Sequence, residues 1–218
     1  MGTLVHLDRP VPRLVELLGA SGCRHPHEAV AAALWAEIRH YRANLHRGGD
    51  ARGLEELRDE CADVLAAALP PPRPSRALAR DALLAGLRFR LYPEVATALA
   101  RIADAGVPMA VVSNWDVSLG ATLTDLGVGR RFAAVVTSAE IGAAKPDPAP
   151  FLAALAAMGV AAPRALHCGD DPRLDCAGAR AVGMRAVTVA RDGAAPGGSC
   201  PVVADLGGLA DLVACPPP

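Results

Sequence analysis

From Leu91 onward the sequence alternates between short apolar runs and stretches of helical spacing, and few architectures accept that pattern. The runs PMAVVS (108 to 113), FAAVVT (132 to 137), ALHC (165 to 168) and RAVTV (185 to 189) read as strands, rich in Val and bounded by polar or turn residues. Helices are predicted at 93 to 105, 119 to 126, 148 to 158 and 172 to 182, the first preceding the strands and the other three filling the gaps between them. Strand and helix in strict alternation imply parallel strands joined by right-handed crossovers, with ligands bound beyond the carboxyl ends of the strands. The Gly- and Pro-rich stretch 193 to 201 reads as a loop, 206 to 213 as a last helix, and the tail from Cys215 as a frayed end.

The first part of the chain has another texture. From Val11 to Leu87 the apolar residues recur at three- and four-residue steps, as in Ala33, Leu34, Ile38, Tyr41 and Leu45. Four helices are predicted there, near 11 to 19, 27 to 46, 51 to 69 and 75 to 86. Gly19, Gly22, Pro26, the pair Gly48-Gly49 and the prolines from Pro70 to Pro74 fall between them. This stretch is predicted to be an all-helical unit.

Composition narrows the function. At 218 residues and 52% apolar the chain suits one domain with a modest insertion. A formal charge of −1 gives no basic field for nucleic acid. No apolar stretch approaches the roughly 20 residues that span a bilayer, so no membrane role is expected. The start MGTLVHLDRP has neither a basic segment nor an apolar core, and a cytoplasmic protein is expected. The six cysteines lack C-x-x-C spacing and are expected to be free thiols in a reducing compartment.

The residues that carry chemistry sit at the predicted strand ends. In VVSNWD, Ser113 offers a hydroxyl beside the backbone N–H of Asn114, a pairing that can hold a phosphoryl oxygen, although Ser-Asn after a strand is often only a turn. In AAKPDPAPF, Lys145 lies on a turn stiffened by Pro146 and Pro148, with Asp147 as the N-cap of the next helix. It is the one lysine among 22 basic side chains, and a compact ammonium suits a crowded site where a planar guanidinium does not. In CGDDPRLDCAG, Asp170 and Asp175 bunch at a sheet edge, and a hard cation such as Mg²⁺ would relieve their repulsion. Asp171 is read as a helix cap. His25, His27, His40 and His46 have no ligand spacing, His167, Cys168 and Cys176 are read as packing, and Trp115 either lines a pocket or packs.

Taken together, VVSNWD, AAKPDP and GDDPRLD resemble the second, third and fourth motifs of the haloacid dehalogenase (HAD) superfamily, in the right order and spacing over about half the chain. The resemblance implies an α/β, Rossmann-like parallel-sheet core with an inserted all-helical cap: residues 1–9 a remnant of the first core strand, 10–88 the cap, and 89–218 the core. It further implies a Mg²⁺-dependent hydrolase of small phosphorylated metabolites, in which Ser113 and Asn114 bind the phosphoryl group and Lys145 neutralises nucleophile and phosphate. Asp170 would bind Mg²⁺ and Asp175 would support it, while closure of the cap would exclude water and choose the substrate. Two rivals share the motifs: a metal-independent 2-haloacid dehalogenase, and a non-catalytic phosphometabolite-binding or scaffold protein.

One departure bears on mechanism. The family's first motif is D-x-D-G-T-L, whose first Asp attacks the substrate, and this chain matches it only in Gly2-Thr3-Leu4. The 218 residues alone are therefore expected to show little or no turnover, with Gly2 to Leu7 at most a makeshift strand. Either the aspartates lie upstream of Met1 or the chain is a shortened, non-catalytic relative. Losing a central strand would leave buried backbone groups unpaired at roughly 1 to 3 kcal/mol each, which favours the first.

Overall fold

The computed structural model describes residues 2–191, 193 and 199–214, and the chain falls into two compact units. One unit is Leu7–Arg90; the other joins Met1–His6 to Leu91–Pro218.

The chain opens on β1 (Val5–Leu7) and then runs through four helices, α1 (Pro10–Ala20), α2 (His27–Asn44), α3 (Ala51–Ala68) and α4 (Arg76–Gly86). Their starts follow local chemistry. Asp50 caps α3 by accepting from the Gly53 N–H at 2.8 Å, and Ser75 caps α4 by accepting from the Leu78 N–H. The helix predicted to reach residue 46 stops at Asn44, because a 3-10 turn over Leu45–Gly49 spends the Gly48-Gly49 pair on reversing the chain. One apolar cluster holds the unit together, with Leu14, Leu18, Val30, Leu57, Leu65 and Leu69 almost wholly hidden from solvent. Each such side chain contributes about 1.5 to 3 kcal/mol of transfer free energy.

The second unit alternates as expected. After β2 (Phe89–Leu91), which pairs with β1, come α5 (Val95–Asp104), β3 (Ala110–Ser113), α6 (Leu119–Asp125), β4 (Ala134–Thr137), α7 (Ser138–Ile141) and α8 (Pro148–Met158). Then follow β5 (Leu166–Gly169), a π-helical turn (Pro172–Ala177), α9 (Gly178–Ala181), β6 (Arg185–Val189), β7 (Val202–Val203) and α10 (Leu206–Ala214). β3 and β4 are parallel, with Ser113 opposite Thr137; β5 and β6 are parallel, with Cys168 opposite Val187; β7 extends β6 in parallel. The architecture is a Rossmann-like α/β core accompanied by an all-helical unit. No helix among the described residues is long and apolar enough to cross a membrane.

Pairing controls burial. β6, flanked by β5 and β7, buries four of its five residues, whereas β3 and β5, each with one partner strand among the described residues, bury one of four. A cavity of about 1450 Å³ is lined by all four residues of β3 and by Leu166, His167 and Cys168 of β5.

Two local expectations need correction, and two short strands were not anticipated. The single helix predicted over 172 to 182 is a wide π-turn followed by α9, because Asp175 folds back toward β5 and widens the first turn. β2 and β7 lie in stretches for which no element was expected; both runs are too short for a period-2 signal to show. The free-thiol reading also fails: Cys176 and Cys200, with Cα atoms 6.2 Å apart, form a disulfide, while Cys23, Cys61 and Cys168 are free. Cys200 was placed in a loop 24 residues from Cys176, and only the packing of that segment against the α8 and α9 core brings the sulfurs together. The pairing removes the cysteine argument for a reducing compartment. The tail from Cys215, expected to fray, lies outside the described residues.

Candidate active site at the ends of β3 and β5

The lone lysine and the second aspartate of GDDPRLD meet. Lys145 Nζ lies 2.5 Å from Asp175 Oδ1 and also donates to the Val112 carbonyl of β3 at 2.8 Å, so one ammonium ties the end of β3 to the π-turn that follows β5. Both side chains are nearly buried, 11% and 7% exposed, which makes the pair costly to separate. The loop that presents Lys145 is held by its neighbour in the first signature: the Asn114 side chain accepts from the Lys145 N–H at 2.8 Å and donates to the Lys145 carbonyl at 3.1 Å. A side-chain amide that satisfies both backbone groups of one residue fixes that residue's orientation. Pro148 stands at the first position of α8, and Asp147 caps it through the Ala149 N–H.

Asp175 has three partners. Besides Lys145, its Oδ1 is 3.1 Å from His167 Nε2, and its Oδ2 accepts from the Asp171 N–H at 3.0 Å. Burial alone would push this carboxyl up. The His167 hydrogen bond and the Lys145 charge together outweigh burial and hold it well below the usual carboxylate range. Burial also pushes the His167 imidazole below its ordinary value, more than Asp175 raises it, so the ring is neutral near pH 7 and donates from Nε2–H. Reading His167 as packing was therefore incomplete. It does pack edge-on against Phe151, but its nitrogen belongs to the polar network. Cys168 beside it is pushed up to about 12 by burial and stays a thiol at neutral pH.

Backbone shape permits this crowding. A Cβ on Gly169 would lie 2.1 Å from Asp175 Cγ, so only glycine lets the strand end receive the returning carboxylate. Asp171 is the cap expected of it, accepting from the Arg173 and Leu174 N–H groups.

Asp170 points elsewhere. Its Oδ1 accepts from the Thr3 hydroxyl at 2.6 Å, across 167 residues of sequence. Ser113, Lys145, His167, Asp170 and Thr3 all line the same cavity, and Trp115, which is buried, lines it as well. Thr3 was expected only as part of a motif fragment; its hydroxyl contact could not be read from a segment so short. Among the described residues no group of three or more His, Cys, Asp or Glu side chains gathers in a way that holds a metal alone. The donor set is compatible with a hard cation in a narrower sense. Among the described residues Asp170 brings one carboxylate with one oxygen committed, and Mg²⁺ commonly binds through one or two carboxylates, with water and substrate phosphate completing its shell. Asp175 is already saturated by its three partners.

A family model described as haloacid dehalogenase-like hydrolase matches residues 2–183. A phosphoserine phosphatase from Thermus thermophilus is 39% identical over 121 residues, 55% of this chain and 49% of that protein. A phosphoglycolate phosphatase from Pectobacterium atrosepticum is 38% identical over 98 residues, 44% of this chain and 42% of its own length. These matches span about half the length of the curated relatives, or less. A crystal structure of a 2-haloacid dehalogenase from Pseudomonas syringae superposes with a TM-score of 0.67 at 25% identity, over 98% of this chain and 95% of that one.

Proposed function

Because the chain belongs to the haloacid dehalogenase-like hydrolases, we propose that its α/β unit is the phosphate-handling site of a phosphatase acting in the cytoplasm on small phosphorylated metabolites. The observation that carries this reading is the buried pairing of Asp175 with Lys145, which lines the same cavity as Ser113 and Asp170. The phosphoserine and phosphoglycolate phosphatases among its relatives support it.

In this reading Lys145 holds positive charge where the phosphoryl group sits, and its second bond, to the Val112 carbonyl, keeps the ammonium from swinging away. Ser113 offers its hydroxyl and Asn114 its backbone N–H to the phosphoryl oxygens, while the Asn114 side chain holds the lysine loop. Asp170 would hold Mg²⁺, and Asp175 would support that site indirectly by fixing Lys145 and the Asp171 backbone. Mg²⁺, when bound, supplies positive charge that neutralises phosphate oxygens. The helical unit is proposed to act as the cap that selects the substrate.

Binding is the first readout, since the family's first motif is represented in these residues only by Gly2-Thr3-Leu4. Isothermal titration with phosphoserine and phosphoglycolate in Mg²⁺ should show saturable binding that Lys145→Met abolishes and Asp170→Asn makes independent of Mg²⁺. Phosphate release would add catalysis to that reading, and binding without release would assign a phosphometabolite-binding role. Chloride release from 2-chloropropionate in EDTA, with no phosphate-ester binding, would overturn it in favour of a dehalogenase.

A further inference from the structure

Arg191, just beyond β6, makes more contacts than any role in the site yet described requires. Its Nε donates to the Gly2 carbonyl at 2.9 Å and its Nη2 to the Thr3 carbonyl at 2.7 Å. The same Nη2 pairs with Glu94 Oε1 at 2.6 Å, and the guanidinium carbon stacks 3.6 Å over the centre of the Tyr92 ring. Thus a carboxylate and an aromatic face fix the guanidinium plane, and the plane grips two consecutive carbonyls. In an extended strand consecutive carbonyls point to opposite sides. Here both turn to one cation, and Gly2, at φ +113°, supplies the backbone freedom this needs.

The gripped segment is the one that touches Asp170. Thr3 donates its hydroxyl to Asp170 Oδ1, and a Cβ added to Gly2 would lie 2.2 Å from Asp170 Oδ2. Gly2 and Thr3 therefore form a wall against that carboxylate on one side, with Arg191 behind the wall. We propose that Arg191 is a positioning residue which clamps Gly2-Thr3 against Asp170 and so fixes the orientation of that carboxylate toward its cation. The inference rests on the reading of Asp170 as the Mg²⁺ carboxylate. Lysine cannot replace this arginine, because a single ammonium has neither the fork that spans two carbonyls nor the planar face that stacks on Tyr92.

The test uses the full chain and Mn²⁺ as the spectroscopic probe, with Arg191→Met, Arg191→Lys, Thr3→Val and the Arg191→Met/Thr3→Val double variant. Electron paramagnetic resonance titration should show Mn²⁺ affinity weakened about tenfold in each of the three single variants, in line with the usual effect of losing a group that orients a metal ligand. The double variant should be no weaker than Arg191→Met, because both changes break one chain of contacts. Fully additive losses, or a lowered melting temperature with unchanged Mn²⁺ affinity, would reduce Arg191 to a structural anchor and overturn the proposal. A second arm is independent of metal: backbone amide exchange over residues 2 to 6 should quicken in Arg191→Met, and unchanged exchange would sink the clamp. If the unsubstituted chain and Asp170→Asn both fail to bind Mn²⁺, it is the metal reading of Asp170 that falls, and the exchange arm still decides whether the clamp exists.

Discussion

Glu37 in the helical unit and Asp175 in the α/β unit are equally hidden from solvent, each 5% exposed as a whole residue, yet they sit in opposite electrostatic surroundings. Burial pushes the Glu37 carboxyl up, opposed by a hydrogen bond with Cys61 and the charge of His40, and one of its oxygens, Oε2, has no hydrogen-bond partner among the described residues. Asp175 has an ammonium, an imidazole and a backbone N–H, and is held well down. A buried carboxylate becomes a stable anion only where convergent donors replace its water. The ends of parallel strands gather such donors, and the seam between α2 and α3, packed with leucine and alanine, does not.

The comparison breaks most visibly at Lys145. Lys145→Met leaves Asp175 buried with its ammonium partner gone, and stability should fall by about 3 to 5 kcal/mol, read as a lower denaturation midpoint together with loss of phosphate-ester binding. Leu57→Ala, in the wholly buried core of the helical unit, should cost a comparable or slightly smaller amount, about 2 to 5 kcal/mol. It should leave Mn²⁺ binding by the folded molecules unchanged. Equal loss of binding in both variants would erase the distinction between a polar site and an apolar scaffold.

Titration sharpens the contrast because the two signs differ. Asp175 has a folded value below its ordinary 3.8, so its contribution is present above that pH and is lost as pH falls below it. Asp175→Asn should accordingly flatten the fall in melting temperature between about pH 4 and pH 2. Glu37 has a folded value above its ordinary 4.5, so the fold is favoured below that pH and weakened as pH rises through the folded value. Glu37→Gln should therefore be more stable than the unsubstituted chain at pH 8, by on the order of 1 kcal/mol, with the gain gone by pH 4. A destabilising Glu37→Gln at pH 8 would show that this carboxylate has charged partners after all.

Much of this could be read in advance, and the reasons are local. The period of the apolar residues fixed the helices before Leu87 and the alternation after it, since a side chain's face depends only on its own segment's geometry. Proline and aspartate marked the start of α8 to the residue, because a cap bonds within three positions. The order Ser113, Lys145, Asp170, Asp175 along the chain was legible as well. By contrast β7 and the π-turn escaped, one being two residues long and the other shaped by a carboxylate reaching back to β5. His167 looked like packing because nothing on its own strand says which neighbour its nitrogen meets.

The sequence alone therefore determined the two textures of the chain, the strand ends at which chemistry collects, and the residue types present there. Tertiary structure alone decided the pairings: Lys145 with Asp175, Cys176 with Cys200, Thr3 with Asp170, and Arg191 with the carbonyls of Gly2 and Thr3. The physical reason is range. Propensity and capping act over a few residues, whereas a hydrogen bond or an ion pair depends on distances of about 3 Å between atoms that the chain brings together only when the whole core has packed.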